Sequence, residues 1–338
     1  MPLRARTLAI ATLLTTGAAV TPAQAAAPQP GWRVTKTITT RYFAFAGLAA
    51  PSAKEVWTIG NPTTVLRNTG TGWRNVPLPP SLRNGRVNLL SASGPANVWV
   101  QAEVLAPDFS TVNYLVRWTG GRWAAPVRLP ARTYPTALLA RGPQDVWYFT
   151  ETGDAVHFDG RGWRTYRIGF PVTQAHGSGS TLWAVGATSA QAPRAARWDG
   201  RAWRGARLPA VGKAWLASVT VTGPRAAWAV GTAGGRSLLL RWNGGTWSRV
   251  GSTAVRAGFT GVVPDGAGGL WLTSVGAPVH RYRAGRFTRP KVAGVKPSRY
   301  PLVFEAIARV PGTTSVWAVG GHRETKDFLD AAVFRYGR

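Results

Sequence analysis

Short apolar runs carrying one tryptophan return along the chain at Trp57, Trp99, Trp147, Trp183, Trp228, Trp271 and Trp317, with spacings of 42, 48, 36, 45, 43 and 46 residues. Runs such as Val98-Trp99-Val100 and Trp228-Ala229-Val230-Gly231 are rich in strand formers and bounded by turn residues, so each predicts one strand. Another apolar stretch precedes it, ended by pairs such as Gly94-Pro95, Gly142-Pro143 and Gly223-Pro224, which punctuate tight turns. Two further strands follow. The third is seen in Leu115-Val116-Arg117-Trp118, Ala195-Ala196-Arg197-Trp198 and Leu239-Leu240-Arg241-Trp242; the fourth opens at Trp73, Trp123, Trp163, Trp203, Trp247 and Phe287. Between them lie turns such as Asp199-Gly200-Arg201-Ala202 and Asn243-Gly244-Gly245-Thr246, where glycine supplies a positive φ.

Four antiparallel strands repeating every 36 to 48 residues, with no helical periodicity, are the pattern of a propeller blade. The last repeat ends at Phe334-Arg335-Tyr336-Gly337-Arg338, after its third strand, while Gly31-Trp32-Arg33-Val34 matches the fourth-strand segments at Trp163, Trp203 and Trp247. The expected fold is therefore all-β: a seven-bladed β-propeller with four-stranded blades, its ring closed by the N-terminal strand completing the last blade. Closure leaves no open sheet edge to template aggregation.

Asp145-Val146-Trp147, Trp183-Ala184-Val185-Gly186 and Arg197-Trp198-Asp199-Gly200-Arg201-Ala202-Trp203 resemble the repeats of bacterial secreted propellers with a DVWAVG…WDGxxW pattern. More distantly the chain is similar to tectonin-type lectin propellers and to Asp-box and kelch-like propellers. The resemblance covers nearly the whole chain after residue 25 and implies blade architecture. Arg197-Trp198-Asp199 lacks the Ser or Thr that an Asp-box loop places two residues before its Asp, which argues against sialidase-like chemistry.

The first residues carry a basic segment with Arg4 and Arg6, an uncharged apolar run from Thr7 to Val20 and the cleavage pattern Ala23-Gln24-Ala25. They predict a signal peptide over 1–25, a short linker over 26–30 and a single propeller domain over 31–338, in a secreted, extracellular protein. The apolar run is too short for a membrane-spanning helix. With no cysteine, a lipoprotein, a disulfide scaffold, a thiolate zinc site and a cysteine nucleophile are all excluded. The histidines stand in no metal-ligand spacing, and no cofactor is expected. The formal charge of +28 attracts polyanions over long range. Arginine is dispersed along the chain without runs, so nucleic acid is a less favoured partner than an anionic polysaccharide or cell-wall polymer, or a protein.

Strand direction places the connections from fourth to first strand and from second to third strand on one rim, and the regular turns opposite. On the variable rim, basic and aromatic residues alternate, and the candidate ligand contacts are Arg83, Arg86, Arg132 with Tyr134, Lys213 with Trp215, and Arg299 with Tyr300. Phe45, Tyr134, Phe170, Trp215, Phe259 and Phe304 precede their strand-two tryptophans by 12 or 13 residues, so capping of the inner core is the alternative for these aromatics. The repeated tryptophans, and the series Arg67, Arg117, His157, Arg197, Arg241, Arg281 and Arg335, recur in every blade, which assigns them to scaffolding before ligand binding. The preferred reading is a monomeric, non-catalytic binding protein. Its rival is a polysaccharide hydrolase or lyase using Glu103, Glu151, Glu305 or His176 at the mouth, with Asp108, Asp154 and a loop from Gly321 to Asp330 bearing His322 nearby.

Overall fold

The computed structural model describes residues 30–41, 45–60, 62–251, 257–274, 276–295, 298, 300–323 and 328–337. The expected signal peptide and most of the linker lie outside them. Seven antiparallel sheets follow one another in sequence, blade 1 spanning Phe45–Asn75, blade 2 Arg86–Arg128, blade 3 Pro135–Arg167, blade 4 Val172–Gly205, blade 5 Ala214–Arg249 and blade 6 Phe259–Thr288. The first strand of each blade packs on the first strand of the next, round the ring and back to the start. Among the described residues the one helical element is a 3-10 turn at Pro80–Leu82.

Blade 7 closes the ring as the end residues predict. Its chain-terminal strands Leu302–Arg309, Val316–Arg323 and Phe328–Tyr336 take Trp32–Arg41 as their outer neighbour, antiparallel, from Trp32 against Tyr336 to Arg41 against Phe328. One strand was not foreseen. Val292–Ala293 adds in parallel outside Trp32–Arg33, making this blade five-stranded and covering its edge.

Burial follows position within the blade. Second strands such as Glu55–Gly60 are buried along their whole length because both faces meet a neighbouring sheet. Fourth strands such as Trp73–Asn75 are largely exposed. The repeated tryptophan of each second strand inserts at the next junction, against Trp118 from Trp57 (5.5 Å), Trp163 from Trp99 (6.5 Å), Trp203 from Trp147 (5.5 Å), Trp247 from Trp183 (5.0 Å), Tyr282 from Trp228 (5.7 Å), Trp32 from Trp271 (5.4 Å) and Trp73 from Trp317 (5.8 Å). Most are edge-to-face, the arrangement favoured by the ring quadrupole. The scaffolding reading of these tryptophans holds.

The turn motif between third and fourth strands also has a structural role. Asp199 Oδ1 accepts the N–H groups of Arg201 (2.8 Å) and Ala202 (2.7 Å), and Gly200 sits at φ 96° between them. This Asx-type turn is what the WDGxxW pattern encodes. Blade 2 departs from the expected register. Trp123 makes only an isolated bridge to Trp118, and the outer strand proper is Val127–Arg128, paired with Tyr114–Leu115. His322 likewise lies in the second strand of blade 7, not in a loop; its Nδ1 donates to the Tyr300 carbonyl (2.8 Å).

Candidate functional site

Hydrogen bonds tie the fourth-to-first connections to the second-to-third turns, so both families form one rim. Glu151 N–H donates to the Tyr134 carbonyl (3.2 Å), Ala214 N–H to the Gln191 carbonyl (2.8 Å) and Asn113 Nδ2 to the Thr133 carbonyl (2.9 Å). Arg83 follows the 3-10 turn, Arg86 opens the first strand of blade 2, Arg132 lies in the blade 2 to 3 connection and Lys213 in the blade 4 to 5 connection. All four are exposed, and none forms an ion pair among the described residues. Arg132 is held at φ 58°, a conformation uncommon for a residue with a side chain. Arg299 lies outside the described residues, as do Arg256 and the Arg41 side chain; Tyr300 is half-buried. The candidates stand at separate blade junctions around the rim and do not converge on one pocket.

The aromatics divide. Phe45, Phe170, Phe259 and Phe304 are buried and cap the core. Tyr134 and Trp215 are 40% and 46% exposed. The cause is register: Leu216 pairs with Gly231 just as Phe304 pairs with Gly320, so Trp215 is one residue out of step and turns to the other face. The Trp215 carbonyl approaches the Gly231 backbone so closely that a Cβ there would lie 1.8 Å from it, so only glycine admits this path. Sequence reading missed Leu105 and Phe109, exposed on the second-to-third turn of blade 2; Phe109 is 83% exposed at φ 62°. The available signal was an apolar residue amid Pro107, Asp108 and Ser110, where turn residues are otherwise polar. Leu105 and Phe109 share the rim with the exposed Arg132 and Tyr134 of the blade 2 to 3 connection.

Five of the third-strand cations, Arg67, His157, Arg241, Arg281 and Arg335, are tied into the scaffold. Glu55 accepts from Trp57 Nε1 (2.6 Å) and from both Nε and a terminal nitrogen of Arg67 (3.0 Å each), while Arg67 stacks over Trp57 (5.3 Å). In blade 3 Asp145 accepts from Trp147 Nε1 (2.9 Å) and contacts His157 Nε2 (3.0 Å), and His157 stacks on Trp147 (4.0 Å). In blade 6 Asp265 holds Arg281, which lies over Trp271 (5.2 Å). Arg241 over Trp228 (5.5 Å) and Arg335 over Trp317 (5.4 Å) keep the stack without the acid.

The residues of the rival catalytic reading are not brought together. Glu151 and Glu305 are exposed in separate blades, Glu103 pairs across from Asn113 within its sheet, Asp108 caps the turn at Ser110, and Asp154 is bonded to Arg167 (2.8 Å). His176 is committed to the scaffold: its Nδ1 accepts the Val221 N–H (3.1 Å) of the adjoining innermost strand. Burial, with Arg141 nearby, pushes its pKa down to about 4, and burial, with Arg289 nearby, does the same for His280, whose Nε2 meets Ser274 Oγ (3.2 Å). Both values lie below that of the unfolded chain, which therefore takes up protons the fold refuses. Stability falls as the pH drops from about 6.5 to about 4, by about 2–3 kcal/mol for each histidine. Urea unfolding between pH 7 and pH 4.5 checks this: His176→Gln should flatten the profile relative to the natural chain, and equal slopes would contradict it.

No protein-family model matches the sequence, and no curated protein does. Solved propellers match over nearly their whole length. YCF48 bound to D1 peptide is 17% identical, with a TM-score of 0.65 over 93% of this chain and 99% of that one. YCF48 from Cyanidioschyzon merolae is 14% identical (TM-score 0.64, 90% and 98% covered), and the WD40 β-propeller domain of Doa1 is 9% identical (TM-score 0.64, 90% and 97% covered). The likeness is one of fold. At these identities it carries no function across.

Proposed function

We propose that this chain is an exported, non-catalytic binding protein that presents its variable rim to an anionic partner, with a cell-wall or matrix glycopolymer as the first expected ligand. The observation that carries the reading is that Arg83, Arg86, Arg132 and Lys213 are exposed without an ion pair among the described residues, beside the exposed Tyr134 and Trp215, while the third-strand Arg67, His157 and Arg281 each meet a carboxylate of the scaffold. Exposed cations without an ion pair need break no internal contact to meet a ligand, and aromatic faces add contact area to sugar rings or apolar groups. Export is supported by the signal-like residues 1–25. A protein partner is the second reading, favoured by the apolar Leu105 and Phe109 on the same rim and by the YCF48 likeness, since that propeller was solved with a peptide.

Changing Arg83, Arg86 and Lys213 to Ser, and Arg132 to Asn, which tolerates positive φ, tests the site. On immobilised teichoic acid or polyuronate the variant should elute at markedly lower salt than the natural protein. Equal elution would remove the rim as the electrostatic site. Export is checked by N-terminal sequencing of protein from the medium, where Ala26 is the expected first residue.

A further inference from the structure

In blades 1, 3 and 6 a carboxylate meets the third-strand cation, whereas blade 4, like blades 2, 5 and 7, offers it none among the described residues. Two residues before the second-strand tryptophan, blades 1, 2 and 3 carry Glu55, Asn97 and Asp145, each accepting the indole N–H. Blade 4 carries Thr181 there, and its hydroxyl turns to the Pro224 carbonyl. Trp183 Nε1 and Arg197 Nε are buried without a hydrogen-bond partner among the described residues, as are Arg117 Nε, Trp271 Nε1 and Arg335 Nε in other blades, but in blade 4 both residues border a cavity. This cluster also opens outward. A cavity of about 530 Å³ between blades 4 and 5 is lined by Trp183 and Arg197, by Arg204 and Arg207, and by Trp242 and Trp247. A second, of about 350 Å³, continues it along the shared segment Ala206–Pro209 toward Arg194. Both fall in the size range of built ligand sites. Arg204 is paired with Asp199 (2.8 Å), but Arg197 and Arg207 have no carboxylate among the described residues.

From this juxtaposition we infer that the groove between blades 4 and 5 is a second binding site, which takes an acidic peptide whose carboxylate pairs with Arg197 and Arg207 where the scaffold lacks its own acid. Arginine's planar fork suits a carboxylate, and a partly enclosed site strengthens the pair. A peptide is favoured over an acidic sugar by the walls. Beside the arginines, Ala206, Leu208 and Pro209 form an apolar stretch that suits an aliphatic side chain next to the acid, which a sugar ring does not carry. The site rests on Arg197 and Arg207, neither of them a rim candidate, although its second cavity reaches Gly212 beside Lys213.

The test uses the full mature chain and a blocked hexapeptide alternating Leu and Glu, its Leu and Gln counterpart, and a trigalacturonate, with binding followed by calorimetry. The Glu peptide should bind the natural protein, and the Gln peptide at least tenfold more weakly. Thr181→Asp installs the acid found in blade 3; it should melt no lower than the natural chain and bind the Glu peptide at least tenfold more weakly. Arg207→Ser, on an exposed position, should lose binding without change in melting. A rim variant limited to Arg83, Arg86 and Arg132 should bind the Glu peptide as the natural chain does. Binding unchanged in Thr181→Asp or Arg207→Ser, equal binding of the Gln peptide, or preference for the trigalacturonate would each overturn the assignment.

Discussion

Removing residues 30–41 should abolish the cooperative unfolding of the ring, and Trp32→Ala alone should lower its stability by about 3–5 kcal/mol. Trp32 is 1% exposed, lodged among Trp271 (5.4 Å), Phe304 (5.3 Å) and Tyr336 (5.7 Å), so truncation empties the junction between blades 6 and 7. The deletion goes further. It strips the ladder from Phe328–Tyr336, frees the Val333 carbonyl that accepts from Thr35 Oγ1 (3.0 Å) and the Gly337 carbonyl that accepts from Arg33, and leaves a long strand edge bare. For a domain of roughly 300 residues a loss of about 3–5 kcal/mol displaces the melting temperature by roughly 5–8 °C. Calorimetry of Trp32→Ala decides the matter. An unchanged melting temperature would mean that the N-terminal strand is not what closes the ring.

The second large effect is expected at Asp265. Its carboxylate is fully buried and accepts the N–H groups of Ala267 (2.7 Å) and Gly269 (2.7 Å) on one oxygen and two nitrogens of Arg281 (2.9 and 2.7 Å) on the other. Asp265→Ala leaves those donors and the Arg281 charge without a partner, a loss of about 3 kcal/mol, at the lower end for broken buried pairs because Arg281 keeps some contact with water. Burial alone would raise the Asp265 pKa, but the two backbone N–H bonds and Arg281 outweigh it and hold the carboxyl below its ordinary value. The sign follows: the unfolded chain protonates first, so the stabilisation is full above the unfolded value near about 3.9 and is lost as pH falls through the lower folded value. Denaturant unfolding at pH 7 should show the full difference between natural chain and variant, and at pH 3 a smaller one. A difference that grew on acidification would contradict this assignment.

The fold was legible because each blade repeats the same burial problem. A strand buried on both faces needs an unbroken apolar run, an inter-blade junction needs one large ring, and a tight turn needs Asp or Asn before Gly, so all three recur at nearly fixed spacing. The rim was legible only in part. Counting 12 or 13 residues back from each tryptophan could not separate the capping Phe304 from the exposed Trp215, since in a strand a slip of one residue reverses the face. Asp265 escaped notice for a related reason: it stands six residues before Trp271, yet reaches the third-strand arginine that Glu55 reaches from two residues before Trp57. The Val292–Ala293 pairing is parallel and non-local, and two residues carry too little pattern to announce it. The vacancy left by Thr181 becomes meaningful only once the blades are superposed in space.

The cations proposed to meet the partner are Arg83, Arg86, Arg132 and Lys213 on the rim, in contrast to Arg67, His157 and Arg281, which are held by carboxylates of the scaffold. The measurement that tests this most directly is the affinity for soluble teichoic acid across a range of salt concentrations, for the natural protein and for the rim variant. The account predicts a steep loss of affinity with rising salt for the natural protein, and for the variant both weaker binding at low salt and a distinctly shallower slope, because fewer cations then release counterions on binding. Superimposable curves would contradict it.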